Sequence, residues 1–255
     1  MASQATSSKT AKKKGMQPAD YALLFDKFTA NISRYDCGKY CAPLNGGQPV
    51  CCTTDHAIPI VDKTEFTLLK SRTDLWFPYV IKDAQARKLL SDLHKTTCAI
   101  ECKGAAFCER ENRTLACRTF PFYPYITREN EVIGLATYWT FEDRCWLMSN
   151  FQVVERKFVK QFMEAFQYVF DRDDLEWESM RNNSAHHRRQ FTKQNRIIPL
   201  IGKDGGFFKV MPRSGEIRPA KIEEFRKVGP YRSDRAYAKA VKEAQGTAVV
   251  ETVMV

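Results

Sequence analysis

The residues most able to do chemistry are nine cysteines, all between Cys37 and Cys145. They form two groups, Cys37-x3-Cys41-x9-Cys51-Cys52 and Cys98-x3-Cys102-x5-Cys108-x8-Cys117, with Cys145 standing apart. Thiolates are soft donors that bind zinc, iron or copper strongly. Short spacings let one loop present two sulfurs to one ion, and Pro43, Gly46, Gly47 and Pro49 let the backbone turn around it. Four sulfurs suit tetrahedral zinc with bonds of about 2.3 Å, or the corners of an iron–sulfur cluster. All nine cysteines are therefore candidate metal ligands. Their number fits two four-ligand sites plus a spare, and equally a single cluster with several packing thiols. Adjacent side chains usually point in different directions. Cys51 and Cys52 therefore either serve two sites or split between ligation and packing. Buried free cysteines behave as small hydrophobes, but nine of them within 109 residues argue against packing alone.

Few other residues compete for a role. His56 follows Cys51-Cys52 closely and could add a nitrogen ligand, with Asp55 orienting it through a hydrogen bond. A surface histidine at a strand start is the plainer alternative. His186-His187, on a basic helix, reads first as a solvated pair. Arg118 follows Cys117, where it either neutralises thiolate charge or forms a surface ion pair. The stretch from Phe120 to Tyr125 reads as an aromatic wall over the metal loops. No Ser-His-Asp arrangement, phosphate loop or zinc-protease motif is present, so no catalytic residues emerge.

Composition supports ligands over disulfides. The 255 residues are 44% hydrophobic and 27% charged, ordinary for a globular protein able to bury a core. No apolar run is long enough to span a membrane, and the first 16 residues lack the apolar stretch of a secretory signal. The expected compartment is the reducing cytoplasm, where structural disulfides are rare. An odd cysteine count also leaves a disulfide framework with a spare thiol. The net charge of +10 is uneven: +4 in residues 1–16, −3 in 17–180 and +9 in 181–232. The basic segment 181–232 contains Phe191, Phe207, Phe208, Phe225 and Tyr231. That mixture could suit nucleic acid, although hairpin phenylalanines more often pack inward.

The elements needed to position the cysteines follow from periodicity. Residues 18–34 carry a helical face of Tyr21, Leu24, Phe25 and Phe28. Short strands are expected at 56–61 and 75–81, with a helical turn at 64–69. An amphipathic helix over 83–94 is capped by Asp83. Residues 98–125 read as a cysteine-rich loop and 131–140 as a strand. The apolar stripe Val154, Phe158, Phe162, Ala165, Phe166 and Val169 marks a helix over 151–170. A second helix spans 174–191. Residues 197–210 form a hairpin, turned by Lys203-Asp204-Gly205-Gly206. Two short helices, 219–228 and 233–245, end the chain. The expected fold class is α+β: an irregular, metal-braced region of helices and short strands, then a mainly helical part with a hairpin. The organisation is a disordered basic tail (1–16), a cysteine-cluster metal-binding domain (17–150) and a C-terminal region (151–255) that could pack on it.

The cysteine motifs resemble those of the YkgJ-type cysteine-cluster family, described as zinc- or iron-chelating. The first group followed by a strand and an acidic helix start is similar to that family's first motif. The run from Cys108 to Phe122 is similar to its Cys, Cys-Arg, Phe-Pro-Phe pattern. The resemblance covers roughly 37–145. It implies metal ligation by Cys37 or Cys41, and by Cys51, Cys52, Cys98, Cys108 and Cys117, with Arg113, Arg118, Phe120 and Pro121 as surrounding motif. The nine-residue gap before Cys51, and Thr114 where the family usually has proline, depart from its pattern. More distantly the cysteine pattern resembles flagellin lysine N-methylase-like proteins, which implies an iron–sulfur enzyme related to methyl transfer. No glycine-rich cofactor loop independently supports that. The sequence thus points to a metal-binding protein with zinc or iron as cofactor. The iron–sulfur enzyme and a metal-braced nucleic-acid-binding module are the alternatives.

Overall fold

The strongest apolar stripe in the sequence becomes the spine of the largest core cluster in the computed structural model, which describes residues 13–251. The helices are α1 (Pro18–Lys27), α2 (Gly38–Cys41), α3 (Lys63–Arg72), α4 (Ala84–Ser91), α5 (Leu115–Thr119), α6 (Arg156–Phe170), α7 (Asp174–Lys193) and α8 (Asp234–Glu251). The strands are β1 (Ile60–Asp62), β2 (Trp76–Pro78), β3 (Thr97–Cys102), β4 (Phe122–Ile126), β5 (Val132–Thr137), β6 (Ile198–Gly202), β7 (Phe207–Val210) and β8 (Ile217–Pro219). The fold is α+β.

On α6 a ladder of phenylalanines at i, i+4 spacing runs along one face. Ring centroids are 5.8 Å apart for Phe158–Phe162, 4.7 Å for Phe162–Phe166 and 5.7 Å for Phe166–Phe170. Tyr21, Leu24 and Phe28 of the first helical face pack against this ladder. Helix starts follow the local chemistry. Asp62, Asp83 and Asp173 accept backbone N–H groups at the heads of α3, α4 and α7.

Two antiparallel sheets form, a small one ordered β1-β3-β2 and a larger one ordered β4-β5-β6-β7-β8. The β6–β7 hairpin turns through residues 203–206, as its sequence predicts. Where β5 meets β6, a Cβ on Gly134 would lie 2.1 Å from the Ile201 carbonyl oxygen, so only glycine allows that approach. Strand β4 is an edge, and α7 covers it. The Ile126 N–H donates to Ser184 Oγ at 3.0 Å, and Arg188 donates to the Ile126 carbonyl at 2.6 Å. These side chains satisfy backbone groups that would otherwise template further strands.

Some expectations are corrected. Residues 97–102 are not loop but the central strand of the small sheet, pairing Val61 with Cys98 and Trp76 with Cys102. Helix α6 starts at Arg156 rather than near 151. The chain before it is held by a Ser33–Val154 bridge and a hydrogen bond from Glu155 N–H to the Ile32 carbonyl. No α-helix forms over 219–228, because β8 pairs with β7 and leaves only a 3-10 turn at Ile222–Glu224. Of the expected tail, residues 1–12 lie outside the described residues. Residues 13–16 are tied down: Lys13 pairs with Asp174 at 2.8 Å and Met16 is buried. The larger sheet and the largest core cluster both draw residues from either side of position 150. Among the described residues no helix is long and apolar enough to cross a membrane.

Candidate metal centre

The first cysteine group sits on short, tightly turned segments. Helix α2 carries Cys37 at its N-cap and Cys41 at its last position, one turn apart and therefore on one face. A 3-10 turn, Val50–Cys52, presents Cys51 and Cys52. Cys145 arrives from the far side of β5, its N–H bonded to the Phe141 carbonyl at 2.8 Å. Cys37, Cys145, Phe120 and Phe141 share one apolar cluster. Of the aromatic run, Phe120 reaches this cluster, whereas Phe122 to Ile126 continue away as β4.

The second group is spread over the end of β3 (Cys102), the residue after a 3-10 turn (Cys108) and α5 (Cys117). Buried contacts hold these segments in place. Trp76 Nε1 donates to the Asn112 carbonyl at 2.8 Å, and Leu115 N–H donates to the buried Glu65 at 2.6 Å. Thr114 caps α5 by accepting the Cys117 N–H at 3.0 Å.

Electrostatic neighbours sort the thiols. The strongest for Cys145 are Cys37 and Cys41. Those of Cys51 are Cys52, Cys145 and Cys37. Cys117 is influenced by Cys102 and Cys52, Cys102 by Cys52 and Cys108, and Cys108 by Cys52. These influences link Cys145 with Cys37, Cys41 and Cys51, and Cys52 with Cys102, Cys108 and Cys117. The adjacent pair Cys51-Cys52 forms the seam, with its sulfurs 3.9 Å apart. Cys52 also influences Cys37 and Cys41, so the sets adjoin. Cys98 belongs to neither. Its charged neighbours are Lys63, Asp62 and Glu65, and it lies four residues before Cys102, roughly 13 Å along a strand.

All nine thiols are free. Among the described residues, no three of the His, Cys, Asp and Glu side chains stand close enough to hold a metal ion. Cys51 and Cys52, with sulfurs 3.9 Å apart, are in thiol–thiol hydrogen-bond contact. Gathering three or four sulfurs onto one ion requires other thiols to turn inward. The donor chemistry fits zinc or iron.

Burial sets the protonation of these groups. It pushes Cys37 up to about 11 and Cys117 up to about 12, and raises Cys41, Cys98, Cys102, Cys108 and Cys145. The hydrogen bond within the adjacent pair holds Cys51 protonated and draws Cys52 toward the thiolate, with Arg113 adding to the second effect. A bound cation would reverse this balance and release protons.

The cation facing the second set is Arg113, which influences Cys52, Cys108 and Cys117. Arg118 forms no surface ion pair, although the charge of Cys117 is among those acting on it. It is buried and donates to four carbonyls, of Arg113 (3.0 Å), Phe25 (3.3 Å), Phe28 (2.6 Å) and Glu111 (2.6 Å). It thereby fastens the cysteine loop to the end of α1, and burial pushes its own pKa down to about 10.

His56 spends both ring nitrogens on protein partners. Asn45 Nδ2 donates to the Gln48 carbonyl, which leaves Asn45 Oδ1 to accept from His56 Nε2 at 2.7 Å. His56 Nδ1 accepts from Arg144 at 2.7 Å. Asp55 pairs with Lys82 at 3.2 Å instead of orienting a ligand. His187 is not solvated. It is buried on α7 between Trp139 and Phe191, with Nδ1 bonded to the Tyr123 hydroxyl at 2.7 Å. His186 is exposed beside Trp139. The aromatics of the basic segment pack inward: Phe191 and Tyr231 are buried, and Phe207 and Phe225 meet edge to face at 5.8 Å. Among known protein families, curated proteins and solved structures, none matches this chain.

Proposed function

We propose that this chain is a thiolate metal-binding protein with two adjoining four-sulfur centres. Cys37, Cys41, Cys51 and Cys145 form one, Cys52, Cys102, Cys108 and Cys117 the other, and Cys98, half-buried, packs against the core of the small sheet. The observation that carries this reading is the contact of Cys51 with Cys52, whose sulfurs are 3.9 Å apart and whose electrostatic neighbours include the other six thiols. The resemblance of the cysteine motifs to the YkgJ-type family supports thiolate ligation of zinc or iron, although its implied ligands include Cys98 and not Cys102 or Cys145. Free thiols fit the reducing cytoplasm.

The test is metal analysis with an absorbance spectrum, on protein purified anaerobically without chelator. Two zinc ions per chain and no colour is the outcome for two zinc centres. Iron with acid-labile sulfide and a broad visible band is the outcome for iron–sulfur centres. Protein that folds with no bound metal overturns the proposal.

A further inference from the structure

A cavity of about 560 Å³ opens between the loop containing Leu44 and His56, the segment Asp143–Arg144, the turn around Gly229 and one face of α8. That volume lies in the range of small-molecule sites, roughly 300–1,000 Å³. Its walls have two characters. Leu44, Val50, Pro230, Ala236 and Ala240 contribute apolar lining, and Arg144, Arg232 and Lys239 contribute three cations. Two carboxylates also line it, Asp143 and Glu243.

The carboxylates are engaged. Both oxygens of Asp143 accept from Arg144, through Nε and Nη2 at 2.9 Å each. Glu243 lies 3.6 Å from Lys239 as an exposed pair one helical turn apart, a weak interaction. The Arg144 guanidinium is fixed in orientation: Asp143 holds one edge, His56 Nδ1 accepts from Nη1, and the Tyr231 hydroxyl anchors the Arg144 carbonyl at 2.9 Å. A guanidinium carries five N–H groups, so donors remain for a ligand. The Arg232 guanidinium has no hydrogen-bond or ion-pair partner among the described residues. The turn bearing it is pressed onto Asp143. Gly229 has a φ of 56°, and a Cβ there would lie 2.8 Å from Asp143 Cα.

We propose that this cavity binds a small organic oxyanion, a carboxylate or phosphate ester with an apolar body. The head group sits between the forked donors of Arg144 and Arg232, near Lys239, because guanidinium geometry matches both kinds of oxyanion. The body lies along the alanine face of α8 and the Leu44–Val50 side. None of these contacts uses a thiol, so the inference stands apart from the metal reading.

Calorimetric titration of the metal-replete protein with phenyl phosphate, phenylacetate and inorganic phosphate tests it, with metal content measured in the same samples. At least one organic probe should bind with a dissociation constant on the order of 1 mM or tighter, and inorganic phosphate at least about tenfold more weakly. Whichever probe binds identifies the head group as phosphate or carboxylate. Arg232→Ala should weaken that binding by about tenfold or more, the loss of one charge-assisted contact. Its circular dichroism and metal content should be unchanged. No binding of either organic probe at about 10 mM overturns the proposal. So does equal affinity for inorganic phosphate, or binding that Arg232→Ala leaves intact.

Discussion

The hydrogen bond between Cys51 and Cys52 makes two chemically identical neighbours unequal, one held as thiol and one drawn toward thiolate. Their placement at the seam leads to a prediction for single substitutions. Cys51→Ser or Cys145→Ser should lower bound metal from two ions to about one, by removing a ligand from the first set only. Cys98→Ser should leave the metal content unchanged. Elemental analysis of the three variants checks this, and equal losses in all three would sink the division into two sets. Arg118 supports the site without touching a sulfur. Removing its side chain leaves four carbonyls near the end of α1 without their donor. Arg118→Ala should cost about 3 kcal/mol or more in urea unfolding. A loss within about 0.5 kcal/mol would mean that water replaces it.

Between elements, the contact of α7 with edge strand β4 carries a titration. Burial, then the charges of Arg196, His186 and Arg188, push His187 down to about 3. The folded protein thus keeps this ring neutral where the unfolded chain would protonate it. Its contribution is fully present above pH 6.5 and is lost as pH falls toward 3, with a slope of up to about 1.4 kcal/mol per pH unit. Replacing it by an aromatic of similar reach, His187→Phe, should flatten that acid limb, although the Tyr123 hydroxyl then loses its partner. Chemical unfolding at several pH values between 4 and 7 measures the slope, and an unchanged slope would assign it to other groups. The junction of β5 and β6 is steric in origin. Gly134→Ala places a methyl 2.1 Å from the Ile201 oxygen, and should destabilise by about 1–3 kcal/mol or more as the strands separate.

At the scale of the whole molecule, the two kinds of packing are unequally distributed. The α6 ladder, α1 and the five-stranded sheet bury continuous apolar clusters. The cysteine segments rest on smaller clusters, in which thiols provide part of the surface. Metal removal should therefore loosen the molecule locally. With chelator under reducing conditions, backbone hydrogen exchange should rise in residues 37–52 and 102–117 while α6, α7 and β4–β7 stay protected. Uniform unfolding would show that the metal supports the whole core, and no change would argue against metal bracing.

Local chemistry made much of this protein legible from its residues. The phenylalanines at helical spacing determined α6 and the face that it buries. Asp83 marked the head of α4, and residues 203–206 marked the hairpin turn. The cysteine spacing named the candidate donors. These features depend on neighbours within a few positions, and sequence carries them directly. Tertiary structure decided the features set by distant partners. Cys98 and Cys102 share a spacing with Cys37 and Cys41, but strand pairing stretches the first two apart while a helical turn brings the second two together. Arg118 and His187 looked like surface or ligand residues, because nothing local announces a ring of carbonyls or an aromatic slot built from other segments. The spacing allowed one cluster or two. The seam proposed at Cys51-Cys52 rests on Cys145 and the end of β3 approaching one turn, a convergence of segments up to about a hundred residues apart that no local pattern encodes.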